Sequence, residues 1–195
     1  MSQAIKAILR EHGSMGAVLH GLRFLVQEIR TGRTQPDFAL LHAMIHYIDA
    51  FPERLHHPKE DRYLFPRVRQ RTHEADAALE RLEKQHQRGA VLTRELRDAV
   101  ARYEEQGPAA FPLFAERVEQ YTTFYWQHMR DEEELVLPVA LRALTPADWE
   151  EIDAAFAANP DPLAEHGGKD DLPALFRRIA LIAPPPIGLG SGSPA

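Results

Sequence analysis

The sequence predicts an all-α protein: an up-down-up-down four-helix bundle followed by short C-terminal helices. Three observations carry this. Apolar residues recur at helical spacing over long stretches, and nothing alternates as a strand would. The long stretches are separated by short turns, which makes consecutive helices antiparallel neighbours. Histidine–acid pairs recur on those helices at matching heights.

The first helix carries Ile5, Ile8, Leu9, Met15, Leu19, Leu22, Val26 and Ile29 on one stripe, and Gly32 suits its C-terminal cap. The second opens near Pro36-Asp37 and runs through Leu40, Ile45, Ile48 and Leu55 toward Val68. Pro52, Pro58 and Pro66 predict kinks in it, because proline lacks a backbone donor and crowds the preceding turn. Thr72 is the expected N-cap of the third helix, with Glu74 and Asp76 in its first turn. That helix runs to Gln106, where Gly107-Pro108 breaks it. The fourth spans about Ala109 to Leu144. Thr145 and Pro146 then suit the cap and first position of a short helix to about Ala157, and a last helix is expected over Leu172–Ile182. The expected organisation is a bundle over 1–144, a helical extension over 145–183 packing on the bundle, and a poorly ordered Pro/Gly/Ser tail over 184–195.

Composition narrows the function. Apolar residues make up 44% and charged residues 27%, an ordinary globular balance. The net charge of −6 argues against a nonspecific grip on nucleic acid. With no cysteine, thiolate metal sites, iron–sulfur clusters and cysteine nucleophiles are excluded. No leader segment or apolar run of membrane-spanning length is apparent, so a cytoplasmic location without membrane contact is expected.

Two segments repeat each other. His56-His57-Pro58-Lys59-Glu60-Asp61-Arg62-Tyr63-Leu64-Phe65-Pro66 and His128-Met129-Arg130-Asp131-Glu132-Glu133-Glu134-Leu135-Val136-Leu137-Pro138 both read His, three residues, Glu, an acid, four residues, Pro. Residues i and i+4 share a helix face, so each segment offers an imidazole and a carboxylate to one centre. The remaining helices add His12 after Glu11 and His86 after Gln85. Counted from the connecting turns, His12, His56, His86 and His128 stand at one level to within one or two residues, roughly 1.5–3 Å of rise. Imidazole and carboxylate without sulfur suit iron, manganese or zinc. Two six-coordinate ions have about 12 positions; four histidines and two bridging glutamates occupy about eight, leaving room for a solvent bridge and a small ligand.

These residues resemble the hemerythrin-like family, the HHE cation-binding domain, over roughly residues 1–142. The resemblance implies a non-haem diiron centre, oxo- or hydroxo-bridged, with His12, His56, His86 and His128 as terminal ligands and Glu60 and Glu132 as bridges. Zinc or manganese can occupy such a site on purification. It further implies a small diatomic or peroxide ligand, with roles in binding or sensing dioxygen or processing nitric oxide or peroxide. Oxygen carriers of the family have a second histidine one turn after the third-helix ligand. Ala90 stands there, which predicts one iron short of a nitrogen and favours sensing or turnover over carriage. The segment Asp148–Phe156 and the ending Pro184-Pro185-Pro186-Ile187-Gly188 resemble bacterial stand-alone members.

Other residues have competing readings. His57 with Asp61 is a rival pair; the register favours His56 and Glu60, while Pro58 allows the turn to distort and His57 to contribute. Tyr63 is either a core tyrosine or a hydrogen-bond donor to the centre. Tyr121 and Tyr125 are expected as an apolar floor, with a ligand tunnel as the alternative. Gly16, Gly89 and Ala90 either leave room for a diatomic ligand or allow close helix packing. The C-terminal pieces allow a homodimer contact. A ferritin-like oxidase using Glu53-x-x-His56 and Glu83-x-x-His86, and a metal-free scaffold, are the remaining alternatives. The first lacks the matching pair on the fourth helix, and the second would leave costly unpaired polar groups in a core.

Overall fold

The computed structural model describes residues 2–157 and 172–182. The described residues are helical throughout their regular structure, with no strand among them. Helix α1, Gln3–Arg30, starts at the cap of Ser2 and ends as expected at Gly32, whose φ of 72° lets its N–H bond Ile29 O at 3.0 Å. Helix α2, Phe38–Ala50, is capped by Asp37, whose carboxylate accepts from Leu40 N–H at 3.0 Å.

Beyond α2 the prolines do not produce simple kinks. They pair with wide π-helical turns, Pro52–His56 and Glu60–Leu64, separated by the short helix α3, His57–Lys59, and followed by α4, Phe65–Arg71. The same device recurs on the fourth helix. There α6, Phe111–Asp131, passes through a π turn at Glu132–Val136 into α7, Leu137–Ala143. In both copies the π turn begins at the repeat glutamate and the proline, Pro66 or Pro138, is the second residue of the helix that follows. The wider turn moves the carbonyl that a proline ring would otherwise strike.

The third long helix, α5, spans Asp76–Gln106 and starts later than expected. Thr72 Oγ1 accepts from Glu74 N–H at 3.1 Å, and so shapes the preceding turn rather than capping the helix. The helix ends at Gly107, whose φ is 68°. Helix α8, Pro146–Ala157, begins with a reciprocal cap: Thr145 N–H donates to Asp148 Oδ2 at 2.8 Å and Asp148 N–H to Thr145 Oγ1 at 3.3 Å. Helix α9 is Leu172–Ile182. The tail, the Asn159–Pro162 stretch and His166 lie outside the described residues.

Two apolar clusters fill the bundle. One contains Leu19, Leu22, Tyr47, Ile48, Leu96, Phe114 and Tyr121, and Ile179 of α9 joins it. The other contains Ile5, Ile8, Leu64, Phe65, Leu79, Leu82 and Val136, and α8 adds Ile152 and Phe156. Between them runs a band of buried polar side chains: Glu11, His12, His56, His57, Glu60, His86, His128 and Glu132. No described helix is long and apolar enough to cross a membrane.

Candidate metal centre

The buried band resolves into two groups of convergent donor atoms. His12, His56, Glu60 and Glu132 form one; His57, His86 and His128 form the other; within each, the donor atoms lie within 4.8 Å of one another. The six residues paired by the sequence repeat therefore do come together. His57 joins them, without Asp61, which is not among the convergent donors. His56 and Glu60 face the first group, and His57 turns its ring onto His86, with centroids 4.1 Å apart. The π turns on either side of α3 allow two successive histidines to face inward. The half that Ala90 seemed to leave short is thus supplied with a third imidazole from another helix.

Distances inside the first group are short enough for its donor atoms to share one ion. His12 Nε2 and His56 Nε2 are 3.2 Å apart. Roughly 3 Å separates two ligands at right angles, each about 2.1 Å from one ion. Glu60 turns Oε1 to His56 Nε2 at 2.9 Å and Oε2 to His86 Nε2 at 3.5 Å, one oxygen toward each group. Glu132 Oε2 lies 3.2 Å from His12 Nε2. Even so, all four oxygens of Glu60 and Glu132, and Nε2 of His86 and His128, are buried without a hydrogen bond of good geometry. Such atoms are costly in a core, and cations bound among them would satisfy them. The donor set, imidazole nitrogen with carboxylate oxygen, fits metal ions of the iron, manganese or zinc kind.

The far side of four of the five rings is held. Glu11 accepts from His56 Nδ1 at 2.6 Å, and Gln85 from His128 Nδ1 at 3.0 Å. Glu133 accepts from His12 Nδ1 at 2.8 Å, and Asp61 from His86 Nδ1 at 2.8 Å. The pattern is a pseudo-two-fold. The residue before each lone histidine orients the histidine of the motif, and the residue after each motif glutamate orients the lone histidine. Such partners fix the tautomer that presents Nε2 to a metal. Glu11 and Gln85 stand out in the sequence as polar residues at equivalent places, yet the helix their side chains reach is legible only in three dimensions.

The two halves differ electrostatically. Burial alone would lower the pKa of His12, but Glu132 and Glu133 outweigh it and hold it up at about 9. Burial opposes the proton on His56 too, and is again overcome, by Glu60 and Glu11. In the other half His86 is also held up, by Asp61 and Glu60 against burial, and burial dominates only at the other two rings. His57 is pushed well down, with the neighbouring imidazoles adding to the effect, and His128 falls to about 3 for the same reasons. Burial and the charge of Glu132 push Glu60 up to about 7. Burial would raise Glu132 as well, but His12 pulls it below the ordinary carboxylate value.

The remaining expected site residues fall out as follows. Tyr63 is half-buried and packs against the second apolar cluster with Arg62 over its ring, which is the core reading. A Cβ on Gly16 would lie 2.9 Å from the Trp126 ring, and one on Gly89 would lie 2.8 Å from Tyr125 Oη and 2.9 Å from Glu53 Oε1. The place of a side chain at both glycines is therefore taken by Trp126 or by Tyr125 and Glu53, as close helix packing requires. Ala90 is half-buried. Tyr121 and Tyr125 stack at 4.6 Å in the first apolar cluster; Tyr125 packs against His57 and His128 and donates to the carboxylate of Glu53. His42 is a surface residue paired with Glu104 at 2.7 Å. A groove of about 600 Å³ lies between α1 and α6, lined by Gly13, Gly16, Trp126 and Met129, with His12 on its wall.

The family model described as the hemerythrin HHE cation binding domain matches residues 3–140. A search of curated proteins finds no match.

Proposed function

The chain belongs to the hemerythrin HHE cation-binding family, and we propose that it is a non-haem diiron protein that binds or senses dioxygen or a related small oxidant. His12 and His56 hold one iron. His57, His86 and His128 hold the other. Glu60 and Glu132 lie between the two. The observation that carries this reading is the pair of buried donor groups sharing Glu60, whose oxygens face one group each. Two imidazoles stand on one side and three on the other, and the side of His12 and His56 is the one next to the groove. Iron held by these residues would supply the electrons for chemistry with a small oxidant. The chain contributes fixed imidazoles, carboxylates without competing partners, and apolar clusters that keep bulk water away on both sides.

Elemental analysis of protein from iron-replete cells tests the reading, with His56→Ala and Glu132→Ala alongside. About two irons per chain in the wild type, lost or halved in both variants, is the expected result. Metal that neither variant disturbs would overturn the ligand set. A spectral change when the reduced, loaded protein meets oxygen is expected as well. The groove beside His12 favours a second reading, turnover of peroxide or nitric oxide, and steady turnover abolished by His128→Ala would select it.

A further inference from the structure

Four of the five inward imidazoles have a hydrogen-bond acceptor at Nδ1. His57 is the exception. Its Nδ1 is buried without a hydrogen bond, and the carboxylate facing it is Glu53, whose Oε2 lies 3.8 Å away. The repeat explains why its support must come from elsewhere. His128 follows His56 by 72 positions; at the same offset, the counterpart of His57 is Met129, so no symmetry-related pair exists to copy. The counterpart of Glu53 at that offset is Tyr125, and the two meet across the bundle, with the Tyr125 hydroxyl donating to Glu53 Oε1.

That pair is tightly placed. Gly89 lies directly beneath it, and a Cβ there would collide with both the hydroxyl and the carboxylate oxygen. The Tyr125 ring lies nearly parallel to His57, centroids 5.8 Å apart and planes 15° apart, and edge-on to His128 at 5.7 Å. The Glu53 side chain is 9% exposed. A buried carboxylate needs a reason to be there. One oxygen is fixed by the tyrosine, Thr93 is a further hydrogen-bond partner of the carboxylate, and Oε2 faces the one ligand-group ring that lacks an acceptor.

We propose that Glu53, locked by Tyr125 above Gly89, is the positioning residue for His57, directing its ring into the His86/His128 half of the centre. The proposal rests on the diiron reading and deepens it. It makes three residues outside the ligand set responsible for one metal position and not the other.

Anaerobic titration with Co(II), followed by its visible absorption, tests this on wild type, Glu53→Ala and Tyr125→Phe. Wild type is expected to take two equivalents. In Glu53→Ala one equivalent is expected to weaken roughly 10–100-fold, the range for losing a partner behind a ligating histidine, with altered band intensity for that equivalent only. Tyr125→Phe keeps the ring stacking and removes only the lock, so it is expected to weaken the same equivalent less. Two equivalents with wild-type affinity and spectrum in both variants would overturn the proposal. So would equal weakening of both equivalents, which is what a general packing defect gives. If Glu53→Ala does not fold, Tyr125→Phe decides alone. Wild type that takes up no cobalt with a ligand-derived spectrum would overturn the diiron reading itself, and this inference with it.

Discussion

At the scale of single residues, the centre consists of groups that a core ordinarily rejects. Glu60 and Glu132 are fully buried and share the charge of one small volume. Their oxygens, and Nε2 of His86 and His128, lack hydrogen bonds of good geometry. This predicts strong coupling between metal and stability. Metal at a thousandfold excess over its dissociation constant contributes about 4 kcal/mol to the folded state. For a chain of this size that is roughly 10 °C in melting temperature. Calorimetry of the chelator-stripped and iron-loaded protein measures it, and equal melting temperatures would mean that the buried atoms satisfy one another. Much of this site was legible beforehand, because duplication puts the same histidine–glutamate spacing on two helices and a random run of polar pairs does not. His57 was only half legible. Which of two adjacent histidines faces inward depends on local helix winding, and in an ideal helix only one register faces the core.

At the scale of elements, helix ends were legible where one residue type alone can do the job. Gly32 and Gly107 adopt positive φ, and Thr145 with Pro146 opens α8. The π turns were not, because a change of one residue in winding alters the stripe too little to show in a short window, and the prolines that accompany it also read as kinks. Helix α8 shows what an appended element adds. Asp148 accepts from Arg71 Nε at 2.8 Å and from Nη2 at 2.9 Å while completing the cap with Thr145, and so ties the end of α4 to the start of α8. Asp153 similarly accepts from Ser2 and from Ala4 N–H at the start of α1. The Arg71 guanidinium and the Thr145 donors hold Asp148 well below the usual carboxylate range. A carboxylate lowered in the folded state contributes stability that is fully present above its unfolded value, about 3.9, and is lost as pH falls below that. Asp148→Asn is therefore expected to cost about 2 kcal/mol at neutral pH, the order of a charge-assisted pair. The gap to wild type is expected to narrow as pH drops below about 4. Urea melts at pH 7 and pH 3 measure both gaps, and an unchanged difference would remove this role from Asp148.

At the scale of the whole molecule, two apolar clusters sandwich one polar band, and the question is where that band meets solvent. The first cluster closes one end, and α8 with Phe156, whose ring lies 6.4 Å from that of His56, helps close the other. Between α1 and α6, however, His12 lies on the wall of the groove of about 600 Å³. Two glycines of α1 line this groove, and they differ. Gly16 is required by packing, since the Trp126 ring fills the place of its side chain, whereas a Cβ on Gly13 would meet nothing within 4 Å. A glycine inside a helix costs about 1 kcal/mol relative to alanine, so a position with open space around it gains nothing in packing from being glycine. What glycine does at this position is leave the groove clear. Gly13→Phe would fill the groove from an exposed helix position without displacing a core side chain, and its helix propensity exceeds that of glycine. The variant is expected to fold with unchanged or higher stability and to bind the same amount of iron. Azide is expected to bind its iron-loaded form several times more slowly, with the same final spectrum, in stopped-flow absorbance. A rate equal to wild type would mean that small ligands reach the centre by another path. A slower rate with a changed spectrum would mean that the phenyl ring disturbs His12 itself, which lies one residue away in sequence, and the smaller Gly13→Val then separates blockage from distortion.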